Sequence, residues 1–225
     1  MTSIIETHYA AYGANDLDGV LATVTDDYTV APFGGKPWLT SKEGARKMYA
    51  RHLATYPMDR TDVLGRMELG NVVIKREHSR PADDLNDPVA DVMPIYTLRD
   101  GLIARCDSVI GEGNEAANVG VIAAQLAAYN IQDLAAHVAH FADDVVVADF
   151  NGAENLHGID AYRTRYAGVF AQYPGNYAEL ISRLACANVV VDHERVSRVA
   201  GGETFDVLAI YTLRDGKIKR VDFVK

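Results

Sequence analysis

The sequence predicts an α+β protein made of two tandem units, each with three helices on a strongly curved, mixed or antiparallel sheet. The first observation is the segment Ile-Tyr-Thr-Leu-Arg-Asp-Gly, which occurs at residues 95–101 and again at 210–216. In both copies a β-branched and aromatic run meets Arg-Asp-Gly, the pattern of a strand that enters a tight hairpin turn. The second observation is that the same order of helical and strand patterns surrounds both copies. Such a recurrence indicates one structural unit present twice.

The repeat extends over nearly the whole chain. At an offset of 117 residues, Asn-Val-Val at 71–73 corresponds to Asn-Val-Val at 188–190. The offset then falls to 115, because the first copy carries two extra residues near 80–88. The sequence therefore predicts two domains, residues 1–112 (unit 1) and 113–225 (unit 2), each of common single-domain length.

Each unit is predicted to contain two helices, a strand, a third helix and then four strands. The first helices are expected at 3–13 and 115–130, where apolar residues recur at helical spacing. Asp16 and Asp133 are candidate N-caps of short second helices. The other elements are expected as third helices from about residues 41 and 158, and as strands at 28–30, 62–69, 71–79, 91–98 and 102–109 in unit 1 and at 145–147, 177–186, 188–197, 204–213 and 217–224 in unit 2.

Both faces of each predicted sheet carry apolar residues. One face is expected to pack on the helices of its own unit. The other, which carries Leu208 and Ile210, also needs a partner, and we predict that the units pack sheet to sheet as an intrachain pseudo-dimer. Pro94 lies inside a strand pattern, which predicts a bulge or an unpaired edge there.

Composition excludes several classes of function. The formal net charge is −9 and no cluster of Lys or Arg stands out, so nucleic acid is not an expected partner. No apolar run has the length of a membrane-spanning helix and no signal peptide is visible, so we expect a cytoplasmic protein without a membrane partner. Cys106 and Cys186 do not correspond between the units and are expected to be reduced core thiols.

Three features together carry a resemblance to a known family. They are the segment Ala-Asp-Asp-Val-Val-Val-Ala-Asp-Phe-Asn-Gly at 142–152, His157-Gly158 before the third helix, and the hairpin Tyr-Thr-Leu-Arg-Asp-Gly-Lys-Ile at 211–218. With the order of elements, they resemble the nuclear transport factor 2-like superfamily, and within it the SnoaL-like polyketide cyclase and ketosteroid isomerase branch. The resemblance covers both units and implies cone-shaped folds, which host isomerases, cyclases, dehydratases, hydrolases and non-catalytic binders.

Asp149 is the first candidate for catalysis. Strand alternation places Val145, Val147 and Asp149 on one face, so a carboxylate is expected to project into an apolar cone, where desolvation raises its pKa. By resemblance, Asp149 matches the general base of ketosteroid isomerases, and His157 and Tyr166 also match. The alternative is that Asp149 bonds the turn at Asn151-Gly152.

The sequence also departs from the ketosteroid isomerase pattern. In that family a Tyr and a protonated Asp form the oxyanion hole, and the matching positions here are Gln125 and Ala209. Steroid isomerisation by the familiar mechanism is therefore not expected. In unit 1 Pro32 replaces Asp149, and we place any chemistry in unit 2.

Aromatic residues provide the candidate binding surface of unit 2. The expected substrate-binding set is Gln125, Tyr129, Tyr162, Phe170, Ala209 and Tyr211, and its rings suit a flat aromatic or polycyclic ligand. The alternative is that most of these rings are core, above all Tyr129 and Tyr173, because both recur in unit 1.

Several polar residues are weaker candidates for a functional role. Of His193 and Glu194, adjacent on a strand, only one can enter a pocket. Glu77 corresponds to Glu194, which predicts a shared structural bond. His137 and His140 lie three residues apart and are expected on a solvated helix face. Neither a metal nor an organic cofactor is expected.

The predicted function is isomerase, cyclase or dehydratase chemistry on a hydrophobic carbonyl compound in unit 2. Asp149 would take a proton from carbon, while Gln125, Tyr166 and His157 would steady the enolate or carry the proton. One alternative is a module that binds a small ligand or a protein without turnover. Another is epoxide hydrolysis, which needs two carboxylates around a water molecule.

Overall fold

A computed structural model provides the structure of the protein. It describes residues 3–55, 59–81, 90–111 and 113–225. The chain divides into two compact units, residues 1–111 and 112–225. The sheet-to-sheet packing of the two units stays a prediction.

Unit 1 has three helices and a mixed five-stranded sheet, with strand order β1-β5-β4-β3-β2. Strand β1 pairs in parallel with β5, and the other pairs are antiparallel. The elements are α1 Ile4–Gly13, α2 Leu17–Ala22, β1 Val24–Pro32, α3 Lys42–Thr55, β2 Asp59–Leu69, β3 Val72–Pro81, β4 Ala90–Arg99 and β5 Leu102–Ile110.

Unit 2 repeats this arrangement in a mixed six-stranded sheet, with strand order β7-β6-β11-β10-β9-β8. The elements are α4 Glu115–Asn130, α5 Leu134–Val138, β6 Phe141–Asp149, β7 Glu154–His157, α6 Ile159–Gln172, β8 Tyr177–Cys186, β9 Val189–Ser197, β10 Thr204–Arg214 and β11 Lys217–Val224. The predicted α+β class and order of elements are confirmed. Strand β7 differs from the prediction, because a segment expected as loop pairs with β6.

Local sequence signals account for the ends of the elements. Asp16 and Asp133 accept hydrogen bonds from the backbone N–H groups of Gly19 and Ala136, so both predicted N-caps are confirmed. The repeated Asp-Gly pairs form the hairpin turns β4–β5 and β10–β11. Asp215 and Gly216 have φ values of 53° and 72°, the left-handed conformation that a tight hairpin of this kind requires.

The helices of unit 2 pack on one face of its sheet and enclose a core. Ile122 of α4, Val138 of α5 and Tyr162 of α6 are buried together with Val190 of β9 and Tyr211 of β10. The ladder of β9 with β8 has an irregularity between Leu180 and Ser182, of the kind that increases local twist.

The prediction for Pro94 is wrong. Strand β4 lies between β3 and β5, so it is not an edge. Its register with β3 is the same on both sides of the proline, because Ile95 faces Ile74 and Val92 faces Glu77, so there is no bulge. The ladder of hydrogen bonds between β3 and β4 is interrupted at Pro94, because proline has no N–H group to donate, and it continues in the same register on both sides.

Cys106 and Cys186 are buried free thiols. Among the described residues, none of the helices combines the length and hydropathy that a bilayer crossing needs.

Replacing Asp133 by Ala is expected to lower the free energy of unfolding by about 1 kcal/mol, because the N–H of Ala136 loses its acceptor at the start of α5. Urea denaturation followed by circular dichroism measures the change. Asp143→Ala is the matched control, since Asp143 is exposed and makes no contact with a described residue through its carboxylate. Equal effects of the two substitutions would contradict the capping role.

Candidate active site

Unit 2 contains a cavity of about 120 Å³ between its helices and the inner face of its sheet. Its walls are mostly apolar and aromatic, with polar groups at a few points. The lining residues are Gln125, Leu126, Tyr129, His137, Tyr162, Arg165, Tyr166, Val169, Glu194, Val196, Arg198, Phe205, Val207, Tyr211, Val221, Phe223 and Lys225. Cavities that bind small molecules typically combine such walls with few polar groups.

Glu194 places a carboxyl group in this cavity. It lies on β9, where strand alternation directs it to the same face as Val190 and Val196, and only 6% of its surface is exposed. The hydroxyl of Tyr211 donates a hydrogen bond to Oε1 of Glu194 at 3.2 Å, the one hydrogen bond that its carboxyl group makes with described residues. Burial, with the nearby charge of Asp192 as a second cause, raises the pKa of Glu194 to about 8. Glu194 is therefore mostly protonated at neutral pH.

Asp192 lies two residues before Glu194 on the same face of β9. Its two carboxylate oxygens accept hydrogen bonds from Nε and Nη2 of Arg183, both at 2.6 Å. Burial raises the pKa of Asp192, and Arg183 opposes that effect. This bidentate pair keeps Asp192 as a charged neighbour of Glu194, and the negative charge favours the protonated form of Glu194.

A chain of hydrogen bonds holds the inner wall of the cavity. Nε2 of Gln125 donates to the Tyr211 hydroxyl at 3.2 Å. His137 is 3.2 Å from the backbone carbonyl of Gln125 through Nδ1 and 2.9 Å from the Tyr162 hydroxyl through Nε2. Because a carbonyl can only accept, Nδ1 carries the proton and Nε2 accepts from Tyr162. Burial lowers the pKa of His137 to about 4, so the ring is neutral.

Most of the predicted binding residues come together here. Four of the six line the cavity: Gln125, Tyr129, Tyr162 and Tyr211. Tyr166, predicted as a catalytic residue, lines it as well. The other two members of the predicted binding set do not line it. Phe170 packs against the ring of Tyr129, with centroids 5.4 Å apart, and Ala209 is fully buried in the core cluster that contains Tyr211.

The predicted environment of Asp149 is wrong. Strand alternation does put it on the face of Val147, but β6 ends there, so the Asp149 side chain reaches the rim and is 47% exposed. Nζ of Lys225 donates to Oδ1 of Asp149 at 3.1 Å. This hydrogen bond, a second one with Asn155 and the charge of Lys225 lower the pKa of Asp149, opposite to the predicted rise.

The histidines also differ from expectation. The His157 side chain is 64% exposed, pairs with Glu154 at 3.0 Å and does not line the cavity. His137, expected on a solvated face, is 1% exposed and lies in the cavity wall. It falls on the buried side of α5 beside Val138, and the apolar spacing of that short helix was the signal for its burial.

Glu77 and Glu194 do not share a structural bond. Glu77 accepts a hydrogen bond from Tyr9 and forms an ion pair with Lys75, whereas Glu194 bonds to Tyr211 in unit 2. Sequence reasoning missed the importance of Glu194, although the alternation Val190-Asp192-Glu194-Val196 already put two carboxylates on an apolar face. His193, its neighbour, points away from the cavity and pairs with Asp206, as alternation requires.

Three cations lie around the cavity mouth: Arg165, Arg198 and Lys225. Lys225 is paired with Asp149. Arg198 donates to the Tyr129 hydroxyl at 3.3 Å and to Oδ1 of Asn176 at 2.7 Å, both neutral acceptors. Arg198 forms no ion pair with a carboxylate among the described residues, whereas the charge of Arg165 acts on Asp149 and contributes to its lowered pKa. The described residues include no cluster of three or more candidate metal ligands.

The SnoaL-like domain family matches this chain twice, at residues 5–106 and 122–221. The chain belongs to the SnoaL-like family. The resemblance inferred from the sequence is therefore confirmed, and the two matches confirm the tandem duplication.

Solved structures of SnoaL-like and related proteins match single units of the chain. An uncharacterised cystatin-fold protein from Novosphingobium aromaticivorans is 31% identical, with 51% of this chain and 100% of that chain covered and a TM-score of 0.45. A provisionally assigned polyketide cyclase from Sinorhizobium meliloti is 17% identical (48% and 94% covered, TM-score 0.41). A provisionally assigned ketosteroid isomerase from Kribbella flavida is 15% identical (49% and 78% covered, TM-score 0.43). No curated protein matches the chain.

The protonation of Glu194 predicts a pH-dependent stability. Its pKa rises from 4.5 to about 8 on folding, so the folded protein holds a proton that the unfolded chain releases. The stabilisation is fully present below pH 4.5 and is lost as the pH rises towards 8, at up to about 1.4 kcal/mol per pH unit. Glu194→Gln is expected to remove this part of the slope in urea denaturation between about pH 5.5 and 8.5.

Asp149→Asn is the control for this experiment. The folded pKa of Asp149 is lowered from 3.8, so this carboxyl titrates below the tested range in both states and its removal leaves the slope unchanged. A slope that Glu194→Gln leaves intact would contradict the raised pKa.

Proposed function

We propose that unit 2 is an enzyme site that moves a proton to and from a carbon atom beside a carbonyl group, as in isomerase or cyclase chemistry. One observation supports this proposal above the others: a buried carboxyl group, Glu194, with its pKa raised to about 8 in an apolar cavity. A base whose pKa lies near the working pH combines basicity with a usable ionised fraction. At pH 7 about a tenth of Glu194 is ionised.

In the proposed step, ionised Glu194 takes the proton and the C–H electron pair becomes the enolate. Glu194 then returns the proton to the same carbon or to a conjugated one. Tyr129 is the proposed donor to the enolate oxygen. Its hydroxyl oxygen already accepts from Arg198, so its own O–H remains to donate, and the guanidinium strengthens it as a donor. This role for Glu194 replaces the one that the sequence predicted for Asp149.

The cavity limits the size of the substrate. A cavity of about 150 Å³ in another protein accommodates benzene. The cavity here, of about 120 Å³, is no larger, so it suits a single ring with its substituents towards the mouth. Of the aromatic or polycyclic ligands expected from the sequence, we therefore keep the single-ring aromatic one. The charge of Arg198, which donates hydrogen bonds to the neutral acceptors Tyr129 and Asn176, favours a substrate that carries an anionic group, such as a carboxylate, at the mouth.

The rival functions have less support. Epoxide opening needs two carboxylates around one water molecule, and the carboxylate next to Glu194 is engaged at both oxygens by Arg183. Binding without turnover would use the same walls, but it gives no reason for a proton-exchanging group in the cavity.

Exchange of the methyl protons of para-acetylbenzoate in D₂O, followed by NMR, tests the proposal. We expect the rate to rise with pH and level off above about pH 8, because the ionised form of Glu194 is the base. Glu194→Gln is expected to lower the rate at least about a hundredfold. Asp149→Asn is the comparison: a rate that falls with Asp149→Asn and not with Glu194→Gln would restore Asp149 as the base and overturn the proposal.

A second test concerns the anionic group. We expect para-acetylbenzoate to have a lower KM than acetophenone, which lacks the carboxylate, and Arg198→Gln to remove most of that difference. Arg195→Gln is the matched control, because Arg195 is an exposed arginine of β9 that is paired with Asp206 and does not line the cavity. An unchanged KM ratio in Arg198→Gln would contradict an anionic substrate.

A further inference from the structure

Unit 1 contains a cavity of its own, of about 330 Å³. It occupies the same place as the cavity of unit 2, between the helices and the inner face of the sheet. Six aromatic residues line it: Tyr9, Tyr12, Tyr28, Trp38, Tyr49 and Tyr96. By volume it suits a ligand of about two rings, larger than the single ring that fits unit 2.

The charges around this cavity differ from those in unit 2. Lys75 occupies the position that corresponds to Asp192, two residues before the buried glutamate of each unit. Nζ of Lys75 lies 3.1 Å from Oε1 of Glu77 and 3.1 Å from the centroid of the Tyr9 ring, and both members of the ion pair are buried. The carboxylate of Glu77 is thus paired with a fixed cation, and it also accepts a hydrogen bond from Tyr9.

His8 is a second polar group of the cavity wall, and it is satisfied as a neutral species. Nδ1 of His8 donates to Oγ1 of Thr23 at 2.6 Å, since that hydroxyl itself donates to the carbonyl of Val20. Nε2 of His8 is 3.4 Å from the Tyr49 hydroxyl. Burial is the main cause that lowers the pKa of His8 to about 4, so the ring is uncharged. Among the described residues that line the cavity there is no Lys or Arg.

We propose that unit 1 is a second ligand-binding site, selective for neutral aromatic molecules of about two rings, and that it binds them without transferring a proton. The volume and the aromatic walls favour such rings. An anion would meet no Lys or Arg among the described residues of the lining, in contrast to Arg198 in unit 2. Glu77 cannot act as a free base while Lys75 holds it.

Trp38 provides a local signal for this site. It is the single tryptophan of the chain, it lines the cavity and it is 58% exposed. Titration of the full chain with 1-naphthylamine, a neutral fluorescent probe of two rings, is expected to quench Trp38 and shift its emission to shorter wavelength. Naphthalene-1-sulfonate, which has the same two rings and a sulfonate in place of the amine, is expected not to displace the neutral probe at equal concentration.

A swap between the units provides the decisive variants. Ser108 lines the cavity of unit 1, and the corresponding residue of unit 2 is Phe223. Ser108→Phe fills the cavity and is expected to weaken binding of the neutral probe at least about tenfold. Phe223→Ser changes the other cavity by the reverse substitution and is expected to leave the Trp38 signal unchanged.

Val92→Phe fills the same cavity from a neighbouring strand and gives the answer if Ser108→Phe does not fold, as judged by circular dichroism. Unchanged affinity in a folded filling variant would overturn the proposal, and so would displacement of the neutral probe by the sulfonate. Glu77→Gln is expected to leave the proton exchange of acetylbenzoate unchanged. A loss of exchange in that variant would overturn the statement that unit 1 transfers no proton.

Discussion

The charge that lies two residues before a buried glutamate distinguishes the two units chemically. Strand alternation puts both residues on the inner face of the sheet, so they share one low-dielectric environment. In unit 2 this neighbour is Asp192, and its negative charge adds to desolvation in keeping a proton on Glu194. In unit 1 it is Lys75, and its ion pair with Glu77 stabilises the carboxylate. One position therefore separates a carboxyl group with a raised pKa from a carboxylate held in an ion pair within the same fold.

The fold was predicted well because the same pattern of helices and strands occurs twice in the sequence, so each copy supported the assignment of the other. The N-cap positions of Asp16 and Asp133 and the hairpin turn at Asp215-Gly216 depend only on local geometry, and all were predicted correctly. Strand β7 was missed because it has four residues and pairs with one strand, so its sequence shows little alternation. Pro94 was misjudged because a central strand can lose one ladder bond without a change of register.

The candidate site was predicted less well, because alternation gives the face of a strand but not the depth of a residue. Asp149 and Val147 share a face of β6. Val147 is buried in the core, whereas Asp149, two residues later at the end of the strand, lies at the rim. Only three residues of β9 follow Glu194, but residues of α4 and β10 lie around it, so it is buried. Which of the two carboxylates is buried depends on the curvature of the sheet and the placement of the helices. Neither can be deduced from the alternation of residues along a strand.

The two buried histidines differ from Glu194 in that both of their ring nitrogens already have a partner. His8 on α1 and His137 on α5 occupy positions that do not correspond, yet each has Nδ1–H bound to a fixed oxygen and Nε2 beside a tyrosine hydroxyl. Both imidazoles are uncharged and fully engaged, and Asp192 is engaged by Arg183. When all the hydrogen bonds of a buried group are already made, a ligand adds little stabilisation, and breaking one of those bonds to bind the ligand costs free energy. Glu194 makes one hydrogen bond with described residues and has a pKa of about 8, so its carboxyl group keeps the capacity for a further partner that the proposed substrate would use.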